Sequence, residues 1–227
     1  VVTCWDSIDL IEDAHPLYVG RGGGMGDRAG NFAVQNADLI LAVGNRLSIR
    51  QVGYNWETWA REAFVIMVDV DPAELKKPTI HVELPVCADA KDFLHTMAEC
   101  LKEQAGDGPA EGPLFSGKEW LEACAAWKKN YPVTLSRHWQ EDGKYANVYA
   151  FIRHLSSRLP QGNLTVVSNG SACVVGSHNY VIQKNARFLI NSAIASMGYG
   201  LPAAIRACAA PGGKETVCIQ GDGSLMV

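Results

Sequence analysis

At 227 residues and 48% hydrophobic composition, the chain can form one large packed domain or two small ones. Its formal net charge of −4 gives no electrostatic reason for a nucleic acid or an anionic membrane surface as partner, so any phosphate would have to be held locally, by amides and a metal. Cys4, Cys87, Cys100, Cys124, Cys173, Cys208 and Cys218 form no CxxC or CxxH pair and the histidines are equally dispersed, which argues against a zinc site and for a reduced, cytoplasmic setting.

No apolar run approaches the roughly 18 residues of a membrane span, and no signal-peptide pattern opens the chain. The sequence starts on VVT, which reads as a strand already under way, and both ends look cut; a fragment of a longer protein is expected.

After that strand, residues 20–30 (GRGGGMGDRAG) read as a polar, glycine-dense loop, followed by a short helix over 31–36. The loop carries two arginines and could cradle a phosphate, but it matches neither GxGxxG directly after a strand nor GxxxxGKS, so a surface loop is an equal expectation. Residues 39–44 (LILAVG) and 64–70 (FVIMVDV) are continuous apolar runs of strand length and fit strands covered on both faces. Arg46 and Arg50, just past the first of these, could meet a ligand phosphate or be paired structurally.

Asp71 and Pro72 open a short helix as cap and first helical residue, which explains the VDVDP aspartates without a metal. A strand is expected at 81–86, and Asp89 caps an amphipathic helix with Phe93, Met97 and Leu101 at helical spacing. The first domain therefore covers residues 1–103 and is a Rossmann-like, parallel-sheet α/β unit.

Residues 104–117 (QAGDGPAEGPLFSG) read as a linker. Past it, 118–130 is a helix anchored by Trp120, Leu121 and Trp127. Residues 145–159 form another, with Tyr145, Val148, Ile152, Leu155 and Leu159 on one face. The α/β rhythm then resumes with strands at 164–168, 188–190 and 216–220. Between the last two lies the small-residue stretch 191–210 (NSAIASMGYGLPAAIRACAA), suited to a helix packed closely on a sheet or a ligand.

The last strand runs into GDGSLMV, residues 221–227. An Asp flanked by glycines past the carboxyl end of a parallel strand stands where open α/β sheets bind ligands. Asp222 offers one hard oxygen to a cation such as Mg²⁺, Gly221 and Gly223 let amides approach an anion, and Ser224 adds a hydroxyl. A plain Asp-Gly turn explains the tetrad, taken alone, better than a ligand site does. Three small, polar strand ends, however, converge on one side of the predicted sheet.

NSAIASMGYGLPAAI, an apolar strand and GDGSLMV closely resemble the pyrophosphate-binding domain of thiamine diphosphate enzymes of the acetolactate synthase and pyruvate oxidase family. AHPLY (14–18), AVQNADLILAVGNR (33–46) and VDVDPAEL (68–75) resemble the central domain of the same family, so the likeness covers nearly the whole chain in the expected order. It implies an α/β fold of two parallel-sheet domains, the central one followed by part of the thiamine diphosphate-binding fold over 118–227.

It also implies thiamine diphosphate and Mg²⁺ as cofactors, with Asp222 as metal ligand and Gly221, Gly223 and Ser224 at the diphosphate. Gly170 and Ser171 match the family's strand-end Gly-Gln, on the other side of the diphosphate. Met197 matches the apolar residue that props the cofactor into its bent shape, and Ala195, with Ser196 between them, offers its carbonyl to the aminopyrimidine. No residue of the chain is expected to be a catalytic acid or base. In the family the activating glutamate belongs to an amino-terminal domain outside this chain, and the asparagine completing the metal site follows Val227 in order.

The implied reaction is decarboxylation of a 2-oxo acid and transfer of the acyl carbanion to a second carbonyl, in a homo-oligomer. A non-ligating decarboxylase is a second expectation, and a non-catalytic nucleotide-binding or interaction domain a third, because ADLILAVGNRL also resembles other Rossmann-type strands and turns. Two departures stand out. Ala172 replaces the histidine that follows Gly-Gln, and Gly-Gly-Met-Gly-Asp-Arg replaces the Gly-Met-His-Gly of flavin-binding synthases, which puts FAD binding in doubt.

Overall fold

The computed structural model describes residues 1–105, 117–140, 144–210, 212–213 and 215–227. The expected linker at 104–117 therefore lies almost entirely outside the described residues. The chain folds as two compact units, Val1–Asn31 with Trp127–Val227, and Phe32–Ala126. Every sheet pairing is parallel, as an α/β chain requires.

In chain order the elements begin with β1 (Val2–Thr3), β2 (Gly20–Arg21), α1 (Arg28–Asn36), β3 (Leu39–Val43), α2 (Ile49–Val52), β4 (Phe64–Asp69) and β5 (Leu84–Cys87). They continue with α3 (Ala90–Ala105), α4 (Lys118–Asn130), α5 (Val148–Arg158), β6 (Leu164–Val167), α6 (Ser171–Asn179), β7 (Arg187–Ile190), α7 (Gly200–Cys208), β8 (Thr216–Ile219) and α8 (Asp222–Leu225).

In the Phe32–Ala126 unit the sheet order is β3-β4-β5. Ala42, Leu47, Val52, Trp59, Val65 and Met67 form its core. Asp89 accepts the amides of Lys91 and Asp92 at 2.8 and 3.3 Å, so it caps α3 as its sequence context predicts. Asp71 accepts the amide of Ala73 at 2.8 Å, but the helix expected after it is only a 3₁₀ turn, Glu74–Lys76. The apolar runs predict a sheet covered on both faces. Instead Leu39, Leu41, Phe64 and Leu84 are exposed, while Val68, on the same face of β4 as Phe64, is fully buried, so that face is covered only at one end of the strands.

In the other unit β1 pairs with β2, and a separate sheet has the order β7-β6-β8. The glycine-dense segment is not simply a loop: Gly20 and Arg21 form β2, and α1 begins at Arg28, three residues before the predicted start. Glycine is required here by close approach. A Cβ on Gly26 would stand 2.1 Å from the Arg21 carbonyl oxygen, and one on Gly20 2.3 Å from the Asp27 carboxylate. α5 begins at Val148, where the Asn147 side chain accepts the amides of Tyr149 and Ala150. Tyr145 therefore lies before the helix and is exposed, and the buried face is carried by Ala150, Ile152 and Ser156.

Ile8, Ile152, Val167, Val175, Tyr180, Ile182 and Phe188 form the core of this unit. Within it the Tyr180 hydroxyl is fully buried, 2.6 Å from Thr165 Oγ1, and donates to Asn163 Oδ1 at 2.9 Å. Burial pushes the phenol above its ordinary pKa, so it stays neutral and keeps that donor. Arg21, also buried, donates from Nη1 to the Ser177 carbonyl (3.0 Å) and from Nη2 to the Tyr180 carbonyl (2.5 Å), both at the C-terminal end of α6. Asp13 lies 3.4 Å from Nη2.

Tyr180→Phe leaves Asn163 Oδ1 and Thr165 Oγ1 short of one buried partner, and should cost about 1–3 kcal/mol of stability in urea unfolding. A loss below about 0.5 kcal/mol would show that the two side chains satisfy each other without the phenol.

Candidate functional site

The register fixes where the sheet delivers its loops. Val167 pairs with Ile190 on one side and with Ile219 on the other, so β6, β7 and β8 end in one row. The Ser168 amide extends the row by one bond, to the Ile219 carbonyl at 2.9 Å. Residues 168–170, 191–199 and 220–224 therefore leave the sheet at one edge, the carboxyl ends of parallel strands.

From β6 the chain turns through Gly170, whose φ of +72° and ψ of −143° suit only glycine, directly into α6. A Cβ at 170 would meet nothing within 4 Å, so the demand is conformational and the space beside it is open. Ser171 is exposed at the first helical position, where main-chain N–H groups have no intrahelical acceptor. Sequence reasoning missed α6 itself, because its residues carry no amphipathic period. The helix buries Ala172, Cys173, Val175, Gly176, Ser177 and Asn179 on several sides.

From β7 the chain runs through turns before α7 starts at Gly200, later than the small-residue pattern suggests. Ala195 has φ +57°, a left-handed conformation costly for a residue with a Cβ, and its carbonyl accepts Asn169 Nδ2 at 2.6 Å. That bond spans two of the three strand exits. Asn169 is the site residue the sequence did not reveal, although an Asn at a strand end before glycine is the available cue. The carbonyl keeps a second lone pair. Ser196 and Met197 are exposed on the same loop.

From β8 come Gly221, Asp222 and Gly223, all exposed, and Ser224, which is buried. The Gly223 amide donates to Asp222 Oδ1 at 2.8 Å. Gly221 has an ordinary φ of −79°, and neither glycine would bring a Cβ within 4 Å of another atom. No described residue demands glycine at these two places.

A bound cofactor can be tested against this edge. Ser168 Oγ and Gln220 Oε1 are buried without a hydrogen-bond partner where β6 and β8 end. A Cβ on Gly200 would stand 2.8 Å from that Gln220 oxygen and 2.9 Å from Ser168 Cβ, so α7 starts hard against both strands. Open space beside Gly170, Gly221 and Gly223, one exposed carboxylate and unspent polar atoms suit a phosphorylated ligand with a hard cation. Mg²⁺ takes one or two protein carboxylates beside phosphate oxygens and water. Asp222 is the only carboxylate among the described residues of these three segments, and no group of three His, Cys, Asp or Glu that could hold a metal by itself occurs among the described residues.

The other candidates fare differently. Arg46 Nε lies 3.0 Å from Glu74, which also takes Lys77 at 2.8 Å; the hydrogen bond from Lys77, more than the arginine, holds the Glu74 carboxyl below its ordinary pKa. Arg46 is thus paired structurally, and Arg50 is exposed on α2. Asp69 accepts the Asp71 amide at 3.0 Å, so this pair shapes a turn. The glycine-dense segment spends its amides internally: Arg21 donates to Asp27, Gly22 to Thr3, Gly23 to Asn31 and Gly26 to Gly23. Those amides are therefore already committed and not free to cradle a phosphate.

Residues 1–97 match the model of the thiamine pyrophosphate enzyme central domain, and residues 168–227 that of the C-terminal TPP-binding domain of the same enzymes. The chain is 31% identical over 223 residues to the acetolactate synthase isozyme 2 large subunit of Escherichia coli, covering 97% of this chain and 36% of that protein. It is 31% identical to the acetolactate synthase large subunit of Cyanidium caldarium (96% and 35%), and 32% identical to a probable chloroplastic acetolactate synthase 2 of Oryza sativa (100% and 33%). The chain thus spans about a third of the length of the curated relatives it matches. Two domain matches in the order central then TPP-binding, on a chain whose strand ends supply the glycines and the aspartate at one edge, place it in the thiamine pyrophosphate enzyme family.

Proposed function

We propose that this chain is part of a longer, thiamine diphosphate- and Mg²⁺-dependent enzyme of the acetolactate synthase type, which decarboxylates a 2-oxo acid and transfers the acyl unit to a second carbonyl. The observation that carries this reading is the common edge of β6, β7 and β8, where open space beside three glycines meets one exposed carboxylate. The acetolactate synthases among its relatives support a ligating activity over simple decarboxylation. The domains we assign are 1–103, a linker at 104–117, and 118–227; the family matches at 1–97 and 168–227 support two domains in that order. The compact units divide elsewhere, because Arg21 ties the first residues to α6.

At this edge Asp222 supplies the anionic oxygen for Mg²⁺. Gly170 and Ser171 receive the diphosphate from the α6 side, and Gly221 and Gly223 keep the opposite side clear. Ser224, buried within the turn, is the hydroxyl we assign to the diphosphate. The Ala195 carbonyl, fixed by Asn169, presents its remaining lone pair to the aminopyrimidine; Ser196 lies beside it and Met197 provides the apolar prop. When bound, thiamine diphosphate supplies the nucleophilic carbon and the electron sink for breaking the bond between carboxylate and carbonyl. The chain's own residues bind and orient, and none at this edge is assigned a proton transfer. FAD is not part of the proposal, since the glycine-dense segment lacks the flavin-type pattern and uses its amides internally. We further propose a cytoplasmic homo-oligomer acting on small molecules, with neither nucleic acid nor membrane as partner. No helix among the described residues is long and apolar enough to cross a membrane.

Asp222→Ala in the full-length enzyme should weaken thiamine diphosphate binding in the presence of Mg²⁺ by about 100-fold or more in calorimetry, since a charged metal ligand is lost. Unchanged affinity would remove Asp222 from the metal site. The 227-residue chain alone, given pyruvate, thiamine diphosphate and Mg²⁺, should release no CO₂ above background, because its edge holds a cofactor but moves no proton. Turnover would show that the catalytic machinery is complete without further segments.

A further inference from the structure

Away from the strand ends, a cavity of about 290 Å³ lies within the unit formed by Val1–Asn31 and Trp127–Val227. Its walls bring together three cations from three parts of the chain: Arg21 on β2, Lys128 in the last turn of α4 and Arg153 on α5. Two carboxylates, Asp13 and Asp27, share the same walls, and each already has partners. Asp27 accepts the amides of Arg21 and Gly30 at 2.8 and 2.7 Å, and Asp13 stands against Arg21.

Asp13 also faces Lys128 and Arg153, but its ion pair is with Arg21. Lys128 Nζ donates to the carbonyls of Asp13 (2.8 Å) and Tyr18 (3.0 Å), lies 4.9 Å from the centre of the Tyr18 ring, and keeps a third N–H. The Arg153 guanidinium makes no hydrogen bond or ion pair among the described residues, although its carbonyl accepts from Ser156 Oγ at 3.3 Å. Arg21 Nε is buried with no acceptor, although the same guanidinium uses both terminal nitrogens. Three cations against two carboxylates leave the concavity one net positive charge, with Arg21 buried behind the exposed Lys128 and Arg153, so an entering anion is favoured. A cavity with low-dielectric walls also focuses that field on whatever fills it. Trp139 adds an apolar, flat surface to the lining.

We propose that this cavity is a binding site for a small oxyanion, a phosphate- or carboxylate-bearing molecule, held by Arg153 and the free N–H of Lys128 with Arg21 behind them. The site is separate from the strand-end edge and does not rest on the function proposed for it.

The test is calorimetry on the 227-residue chain at low ionic strength, with inorganic phosphate and acetate as separate probes. Saturable binding of about one ion per chain is expected, weakened about tenfold or more in Arg153→Gln by loss of a charge-assisted contact. Lys128→Met should weaken it further, its fold being checked by circular dichroism; Arg153 is exposed, so that variant keeps the test valid if Lys128→Met does not fold. Asp222→Ala should bind the probe as the parent does, which separates this site from the cofactor edge. Binding of phosphate alone assigns a phosphoryl ligand, and binding of acetate as well assigns a carboxylate. Absence of binding by both probes, or equal binding in Arg153→Gln, would overturn the proposal.

Discussion

The buried guanidinium of Arg21 at the C-terminal end of α6 is the contact on which the rest of this unit depends. A helix ends in carbonyls without intrahelical donors, and a cation there is favourable by about 0.3–2 kcal/mol according to burial. Arg21 meets that demand at Ser177 and Tyr180, and so fastens a segment near the start of the chain to a helix some 150 positions later. The short β1-β2 pair could not hold that segment alone, because two strands of two residues bury too little surface to be stable by themselves.

Because its C-terminal end is fixed, α6 acts as a strut. It is enclosed on several sides, and Gly176 lets it lie so close to β7 that a Cβ would come within 3.3 Å of Phe188 Cζ. The opposite end of the strut is Gly170 and Ser171, on the ligand-binding edge. Their position is set by core packing and by the strand row of Val167, Ile190 and Ile219, with the bond from Asn169 to Ala195 joining neighbouring exits. A site held in this way is positioned by rigid elements, which keeps a bound cofactor's reactive atoms in register.

The sequence made the strands legible because parallel strands inside an α/β fold are short, largely apolar runs between turn residues; seven of the eight overlap the expected strands. β2 stayed hidden because two residues inside a glycine-dense stretch have no period, and α6 because a helix buried on several sides has no amphipathic stripe. The strand-end residues Gly170, Ala195, Met197 and Asp222 could be named from the family pattern. Asn169 could not, since its contribution is a hydrogen bond across strands, which no spacing along one strand encodes. The exposed apolar residues of β3, β4 and β5 were likewise invisible, since periodicity tells which residues share a face but not whether anything covers it.

The distribution of charge follows from the same architecture. At the strand-end edge the chain presents one carboxylate and otherwise main chain and small polar groups, which suits a ligand that brings its own negative charge together with a divalent cation. The cavity is built the other way, with fixed cations and with its carboxylates already engaged by an amide or a guanidinium. Arg21 belongs to both arrangements: its terminal nitrogens hold α6, and with it the cofactor edge, while its unpartnered Nε lies within the cavity's cationic cluster. Exchanging Arg21 would therefore disturb both at once and could not tell them apart. Lys128, Arg153 and Asp222 each belong to one arrangement only, so the two binding regions can be separated experimentally through these side chains and not through the arginine that links them.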